Sequence, residues 1–403
     1  MPTTRSAPKP IATALVAGAF TTTMLGTTLP TPLYPAYEGR FAIGSLTVTI
    51  VFATYAIGVL LALVGFGSAS DRIGRRPSLL AGLAAAAASS VVFLVTAQVH
   101  GHDAGLALLL LGRLLSGLSA GVFTGTATAT ISDLAGGDRK VPASLIAALA
   151  NIGGLGLGPL LAGVLAKYVA DPLTTPYAVH LALAVVAAVA VLATPETVKV
   201  DGPRRLGFQK LGVPSGSRAA FVQAGTAGFA GFAVLGFFTA VCAATLALLG
   251  HRDPFLTGEV VFAVFAASAV GQAASLQVAT RGALLGGTAA LIAGSALLGV
   301  AIGMKSLALL LAGGVLAGAA QGLSFRSALG AVTAAAPPQE RGKVASSFFA
   351  ICYVGISLPV VAIGAASDKY GLIHTGEVFG GVIAAISLAA LVSLSRQSGT
   401  SAA

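Results

Sequence analysis

Two arginines and one short charged turn carry most of the chemistry this chain can offer. Arg113 stands inside a long apolar run and opens the spacing Arg113-x-x-x-Gly117-x-x-x-Gly121. Arg326 stands inside a later run, a short way from Gln321. A cation in hydrocarbon costs about 3 kcal/mol or more unless it faces a cavity or a partner. The other way out is to snorkel to the interface. Each arginine is therefore either an anchor or a working group, and Gln321 with Arg326 could hold an anionic substrate group between them. The turn reads Gly67-Ser-Ala-Ser-Asp71-Arg72-Ile-Gly74-Arg75-Arg76. Only 9% of the chain is charged, so a cluster this dense must face water. Gly67 lets two helices approach, Asp71 can face a helix N-terminus, and Gly74 permits a tight bend. Arg75 and Arg76 suit headgroup depth, and Pro77 suits the first turn of the next helix.

The acids are sparse. There are thirteen, and none lies at the centre of an apolar run. Glu38 and Glu259 fall near run ends on one side, Asp133 near an end on the other. A solvated helix cap is the default role for such residues. If protons drive the chemistry, Glu38 with Arg113 comes first, then Asp133, because coupling needs an acid whose proton a nearby charge can move. The five histidines (His100, His102, His180, His251, His374) are read as near the outer surface and lack ligand spacing. A phosphate-cradling Gly-x-x-x-x-Gly-Lys-Ser/Thr loop is missing, as are metal-ligand clusters and nucleophile elbows. This excludes an ATP-driven pump, implies no cofactor or metal, and argues against an enzyme. Cys242 and Cys352 both sit in apolar runs and read as packing residues.

These groups must be held by membrane-spanning helices. The chain has 403 residues, 56% of them hydrophobic, with mean hydropathy +0.92. Twelve spans of about 20 residues would use roughly 240 of them. The runs are 11–37, 43–67, 77–98, 104–131, 142–167 and 177–194, then 219–249, 257–280, 283–303, 306–333, 344–365 and 377–395. With the N-terminus cytoplasmic, sixteen basic residues fall inside and five outside, leaving Arg113 and Arg326 in the spans. That is a strong positive-inside bias, and it accounts for the net charge of +10 without nucleic acid. Residues 1–10 form a cytoplasmic tail, 11–194 a six-helix bundle, 195–218 a polar linker, 219–395 a second bundle and 396–403 a second tail. The two bundles read as repeats about 200 residues apart: Gly117 and Gly121 recur as Gly318 and Gly322, Pro159 as Pro359, and Gly67 as Gly271. Leu29-Pro30-Thr-Pro32-Leu-Tyr34-Pro35-Ala-Tyr37 cannot sustain a regular helix, so the first run should break there.

The charged turn resembles, position for position, the Gly-x-x-x-Asp-Arg-x-Gly-Arg-Arg signature of the major facilitator superfamily. The resemblance implies an all-α membrane fold of twelve helices in two pseudo-symmetric six-helix bundles. It makes Gly67, Asp71, Arg72, Gly74, Arg75 and Arg76 a conformational gate, joined by Glu340 and Arg341 before the eleventh run. It makes Arg113 a cavity-facing, proton-coupling group. The stretch Gly154-x-x-x-Gly158-Pro159-x-x-x-Gly163 is similar to the fifth-helix motif of drug/proton antiporters, with Ala162 where a further glycine is expected. In that role Gly117, Gly121, Gly154, Gly158, Pro159 and Gly163 are hinge and packing positions. Tyr34, Arg113, Phe237, Gln321 and Arg326 are the candidates for substrate contact in a midplane cavity. The function implied is secondary active transport of a small organic solute by alternating access: proton-coupled efflux, with no central acid to favour a cationic cargo. Uptake of a sugar or organic acid, and a transport-inactive sensor on the same fold, are the alternatives. Partners expected are a small molecule, protons and the bilayer of the cell membrane around a monomer with both termini cytoplasmic.

Overall fold

The computed structural model describes residues 9–66, 69–136, 140–198 and 211–400, and within them the chain is helical apart from short turns. Twelve long helices follow one another: α1 Lys9–Thr28, α2 Ser45–Phe66, α3 Arg75–Thr96, α4 His102–Ala135, α5 Lys140–Tyr168 and α6 Thr175–Leu192. They continue as α7 Arg218–Ala240, α8 Pro254–Ala274, α9 Thr280–Gly303, α10 Leu307–Ala334, α11 Arg341–Tyr370 and α12 Leu372–Thr400. All twelve regions contain a stretch long and apolar enough to cross a membrane. Side chains such as Ile57, Leu61, Val186, Val270 and Leu358 stand exposed on helix faces. Large apolar groups turned outward in this number suit hydrocarbon and would be a liability in water.

The triple proline breaks the first run as expected. After α1 a 3-10 turn spans Thr31–Leu33 and a short helix spans Tyr34–Phe41, closed by Ala42 at φ 51°. Pro159 and Pro359 lie inside α5 and α11, which continue through them. The seventh run is interrupted too: α7 stops at Ala240 and a short helix Cys242–Leu248 follows.

The helices form two compact units, Met1–Ala42 with Thr54–Gln209, and Ile43–Ala53 with Lys210–Ala403. In the first, α1 packs against α4, α5 and α6, while α3 packs against α4 and α6. In the second, α7 packs against α10, α11 and α12, while α9 packs against α10 and α12. The pairing scheme is the same in both, each helix answering to the one six places on. Glycine makes the repeat tight. A Cβ on Gly117 or Gly121 of α4 would strike the carbonyl oxygens of Tyr55 and Val59 on α2. A Cβ on Gly318 or Gly322 of α10 would strike those of Val264 and Ser268 on α8. The α4 glycines recur 201 residues on and the α2 carbonyls 209 residues on. That register corrects one expected match: it sets Gly271 against Ala62, not against Gly67, which itself lies outside the described residues.

Candidate functional site

The charged turn builds a closed network within the first unit. Gly74 sits at φ 106°, a conformation that favours glycine, and a Cβ there would also lie 2.7 Å from Oε2 of Glu196. The bend starts α3, leaving its first amides unpaired. Glu196, just past α6, answers them: its carboxylate accepts from the Arg75 amide at 2.9 Å and the Arg76 amide at 3.0 Å. A carboxylate there also meets the positive end of the helix dipole. Arg75 Nη1 reaches Asp71 Oδ1 at 2.7 Å and Ser70 Oγ at 2.6 Å, and its Nε reaches Asp133 Oδ2 at 3.2 Å. Thr197 Oγ1 donates to the same Asp133 oxygen at 3.1 Å. Arg75 is thus the hub that ties the turn, the end of α4 and the segment after α6. Arg72 is exposed, and Arg76 contributes its backbone amide.

Sequence reasoning missed Glu196 and Thr197. The available signal was Pro195-Glu196-Thr197, an acid and a hydroxyl set at a helix end beside a basic linker. Asp133, read from sequence as a second-choice proton carrier, is engaged here on the charged turn. Glu340 lies 3.8 Å from Lys343 in an exposed pair of its own, and Arg341 Nε meets the Ala336 carbonyl at 3.5 Å.

The second cluster lies inside the first unit, around residues 21–28 of α1. Arg113 is 1% exposed and is the largest fully buried side chain among the described residues. Its Nη1 donates to the Thr27 carbonyl, and its guanidinium stands 4.9 Å from the centre of the Tyr55 ring. Snorkelling does not describe a cation buried in this way. From α5, Gly154 packs on the Thr21 carbonyl and Gly158 on the Leu25 carbonyl, while Thr28 Oγ1 donates to the Leu155 carbonyl at 2.9 Å. Pro159 and Gly163 are buried on the same helix.

From α6, His180 Nε2 meets the Thr22 carbonyl at 3.1 Å, and Nδ1 meets Ser90 Oγ of α3 at 2.6 Å. A carbonyl can only accept, so Nε2 carries a proton and donates to Thr22. His180 is 2% exposed, which corrects its reading as a surface histidine. It faces inward because Gly26 leaves room for the ring, where any Cβ would overlap it. Above this level Tyr37 donates its hydroxyl to Tyr177 at 2.9 Å, and Phe93 stacks on Tyr177 at 4.5 Å. Tyr34 is buried beside them, and Glu38 is half-buried one turn along.

The second unit is built differently at the matching level. Gln321 is 1% exposed, accepts from Ser268 Oγ at 2.6 Å and has Gly231 of α7 against its side chain. Phe237, a candidate for substrate contact, is fully buried and stacked on Phe379 of α12 at 5.3 Å, edge-on to Phe238. It packs α7 against α12. Arg326 is half-buried, and its neighbour Phe325 lies among Phe232, Phe348 and Phe349 at 5.1 to 5.9 Å. Among the described residues no group of acids, histidines and cysteines could hold a metal ion.

Twelve membrane-length helices among the described residues, in two units of repeated pairing, define a multi-pass membrane protein with a charged turn after the second helix and a buried arginine in the fourth. The sequence profile of the Major Facilitator Superfamily matches residues 16–359, and the chain belongs to that family. It is similar to the bacillibactin exporter of Bacillus subtilis (strain 168), 30% identical over 151 residues, 36% of each chain. It is similar to the citrate-proton symporter of Salmonella typhi, 38% identical over 109 residues, 25% of this chain and 23% of that one. A triacylglyceride transporter of Mycolicibacterium smegmatis is 29% identical over 162 residues, 40% of this chain and 27% of the other. The chain thus matches only about a quarter to a third of the length of these curated relatives. The crystal structure of the human organic anion transporter MFSD10 (TETRAN) matches with TM-score 0.69 over 96% of this chain and 100% of that chain, at 18% identity. That likeness concerns the fold.

Proposed function

We propose that this protein exports a small organic solute across the cell membrane by proton-coupled alternating access, with a neutral or anionic cargo. One observation carries the reading: residues 21–28 of α1 are gripped by the glycine face of α5 and by Arg113 of α4. A seam with no side chain between backbones lets α1 and α5 stay in register while they move as a pair. A buried guanidinium one residue along offers a positive charge that a proton or an anionic cargo would answer. The similarity of the α5 glycines to those of drug/proton antiporters supports the outward direction, as does the relative named as an exporter. The scarcity of acids inside the spans supports a cargo that is not cationic. The bias of basic residues supports cytoplasmic termini.

The test is transport by the purified chain in liposomes under an imposed pH gradient, paired with retention assays in cells. Export predicts that collapsing the gradient raises cellular retention of the solute and that Arg113→Gln does the same. Retention unaffected by the gradient would overturn the proposal. Proton-coupled uptake is the second reading, favoured by the relative named as a citrate-proton symporter. For uptake, collapse of the gradient abolishes accumulation instead.

A further inference from the structure

The last helix of the second unit has a face that neither the turn nor the buried clusters use. The apolar stretch of α12 is less buried than that of any other span among the described residues. Along it Ala385, Leu388, Ala389, Val392, Ser393 and Arg396 fall three or four residues apart and so form one stripe. Eleven residues of helix rise about 16 Å, roughly half the ~30 Å hydrocarbon core, so the stripe is as long as one leaflet is deep. With Gln223 of α7 as the facing wall, it lines an open cleft of about 680 Å³. Gln223 Nε2 donates to the Ser393 carbonyl at 3.0 Å and fixes the two helices at the polar end.

The cleft is graded along its length. Leu388 is 52% exposed and Val392 39%, giving apolar walls that small residues Ala385 and Ala389 keep concave. Amide and hydroxyl groups come next, then the exposed guanidinium of Arg396. Among the described residues Arg396 forms no ion pair with a carboxylate. Hydrocarbon depth, ester depth and headgroup depth are thus matched in order by methyl groups, hydrogen-bonding groups and a cation. An inorganic anion would satisfy the arginine and ignore the walls; an uncharged lipid would satisfy the walls and ignore the arginine.

We propose that the α7–α12 cleft is a binding site for one anionic phospholipid, its acyl chain along Ala385, Leu388 and Val392 and its phosphate on Arg396. The site stands apart from the export reading, since it needs only a protein in a bilayer. The test is native mass spectrometry of the full chain released from nanodiscs of equal phosphatidylglycerol and phosphatidylcholine. The wild-type protein should retain one phosphatidylglycerol in preference to phosphatidylcholine. Arg396→Gln should weaken that preference about fivefold, the worth of one basic residue at an anionic surface, and Arg396→Lys should restore it. Leu388→Trp, which fills the cleft and keeps the charge, should empty it of both lipids. Arg281→Gln, at an exposed arginine at the start of α9, should change nothing. Equal retention of the two lipids by the wild type, or unchanged retention in Arg396→Gln, would overturn the proposal. So would a change of oligomeric mass in Leu388→Trp, which would mean that a second copy covers the cleft. If that variant does not fold, the Gln and Lys pair at position 396 decides alone.

Discussion

The two six-helix units share a skeleton and differ in what they bury. The pairings among α1, α3, α4, α5 and α6 recur among α7, α9, α10, α11 and α12, and glycines of α4 and α10 seat on carbonyls of α2 and α8 at equivalent places. Yet the first unit buries an arginine, a histidine and a hydrogen-bonded tyrosine pair. The second packs phenylalanines around α7, α10 and α11, with Gln321 and Ser268 as a polar inset. Backbone-to-backbone seams tolerate no side chain, so a duplicated fold must keep them. Interior side chains are free to diverge once total packing is kept. The comparison therefore separates what holds the fold from what the fold is used for.

The strongest way to break that separation is to burden the seams. Gly117→Val and Gly322→Val should each cost about 3 kcal/mol, because the obstacle is a backbone carbonyl that cannot rotate away. Thermal midpoints of the detergent-solubilised protein should fall together for both. A large drop in one variant and none in the other would mean that the two seams are not equivalent.

Next comes the chemistry peculiar to the first unit. On the proposed export reading, Arg113→Gln should lower gradient-driven transport about a hundredfold, the order of loss when one positioned donor is removed from a buried charged site. Arg113→Lys should recover only part, since an ammonium cannot both reach the Thr27 carbonyl and lie flat on Tyr55. By the 201-residue register its counterpart is Gly314, which packs under Phe238. Gly314→Ala should therefore disturb stability more than coupling. Initial rates in proteoliposomes and melting curves would separate the two effects.

Much of this contrast was legible beforehand, and the reasons differ by residue. The twelve spans follow from hydrophobic runs, and the break after α1 from three prolines whose rings forbid a continuous helix. The charged turn announced itself because charge is so rare elsewhere. What the chain order hid was long-range partnership. Glu196 is 121 residues from the amide of Arg75 that it caps, and nothing local marks it as more than a linker acid. His180 lies near one end of a run, which suggested the surface; the space Gly26 leaves on another helix turns it inward. Gly271 looked like the echo of Gly67 by offset alone, and only the glycine–carbonyl register shows which positions correspond.

The turn offers a smaller effect. Glu196→Ala removes the acceptor of the first two α3 amides and should cost about 1 kcal/mol, as lost N-terminal caps do. In the second unit the hydroxyl of Ser275, at the end of α8, donates only to the Gln272 carbonyl of its own last turn, so Ser275→Ala should be near neutral. Hydrogen exchange at the first turn of α3 would report the loss locally. Unchanged protection there would show that water replaces the carboxylate without cost.

The finest comparison sets one interior pair against another. Tyr37→Phe should destabilise by about 1 kcal/mol, since it leaves the buried Tyr177 hydroxyl without its partner's. The double change Tyr37→Phe with Tyr177→Phe should recover most of that loss, because two absent hydroxyls leave nothing unsatisfied. In the second unit, Phe237→Leu and Phe379→Leu remove a stacked pair, worth about 1 kcal/mol beyond area. There the double change should not recover stability, because each leucine also gives up buried surface. The step from single to double variant should restore stability in the tyrosine pair and remove more of it in the phenylalanine pair, so the two steps should have opposite signs. Equal signs would mean that the tyrosine pair is held by packing alone, and that the two interiors differ in composition without differing in physics.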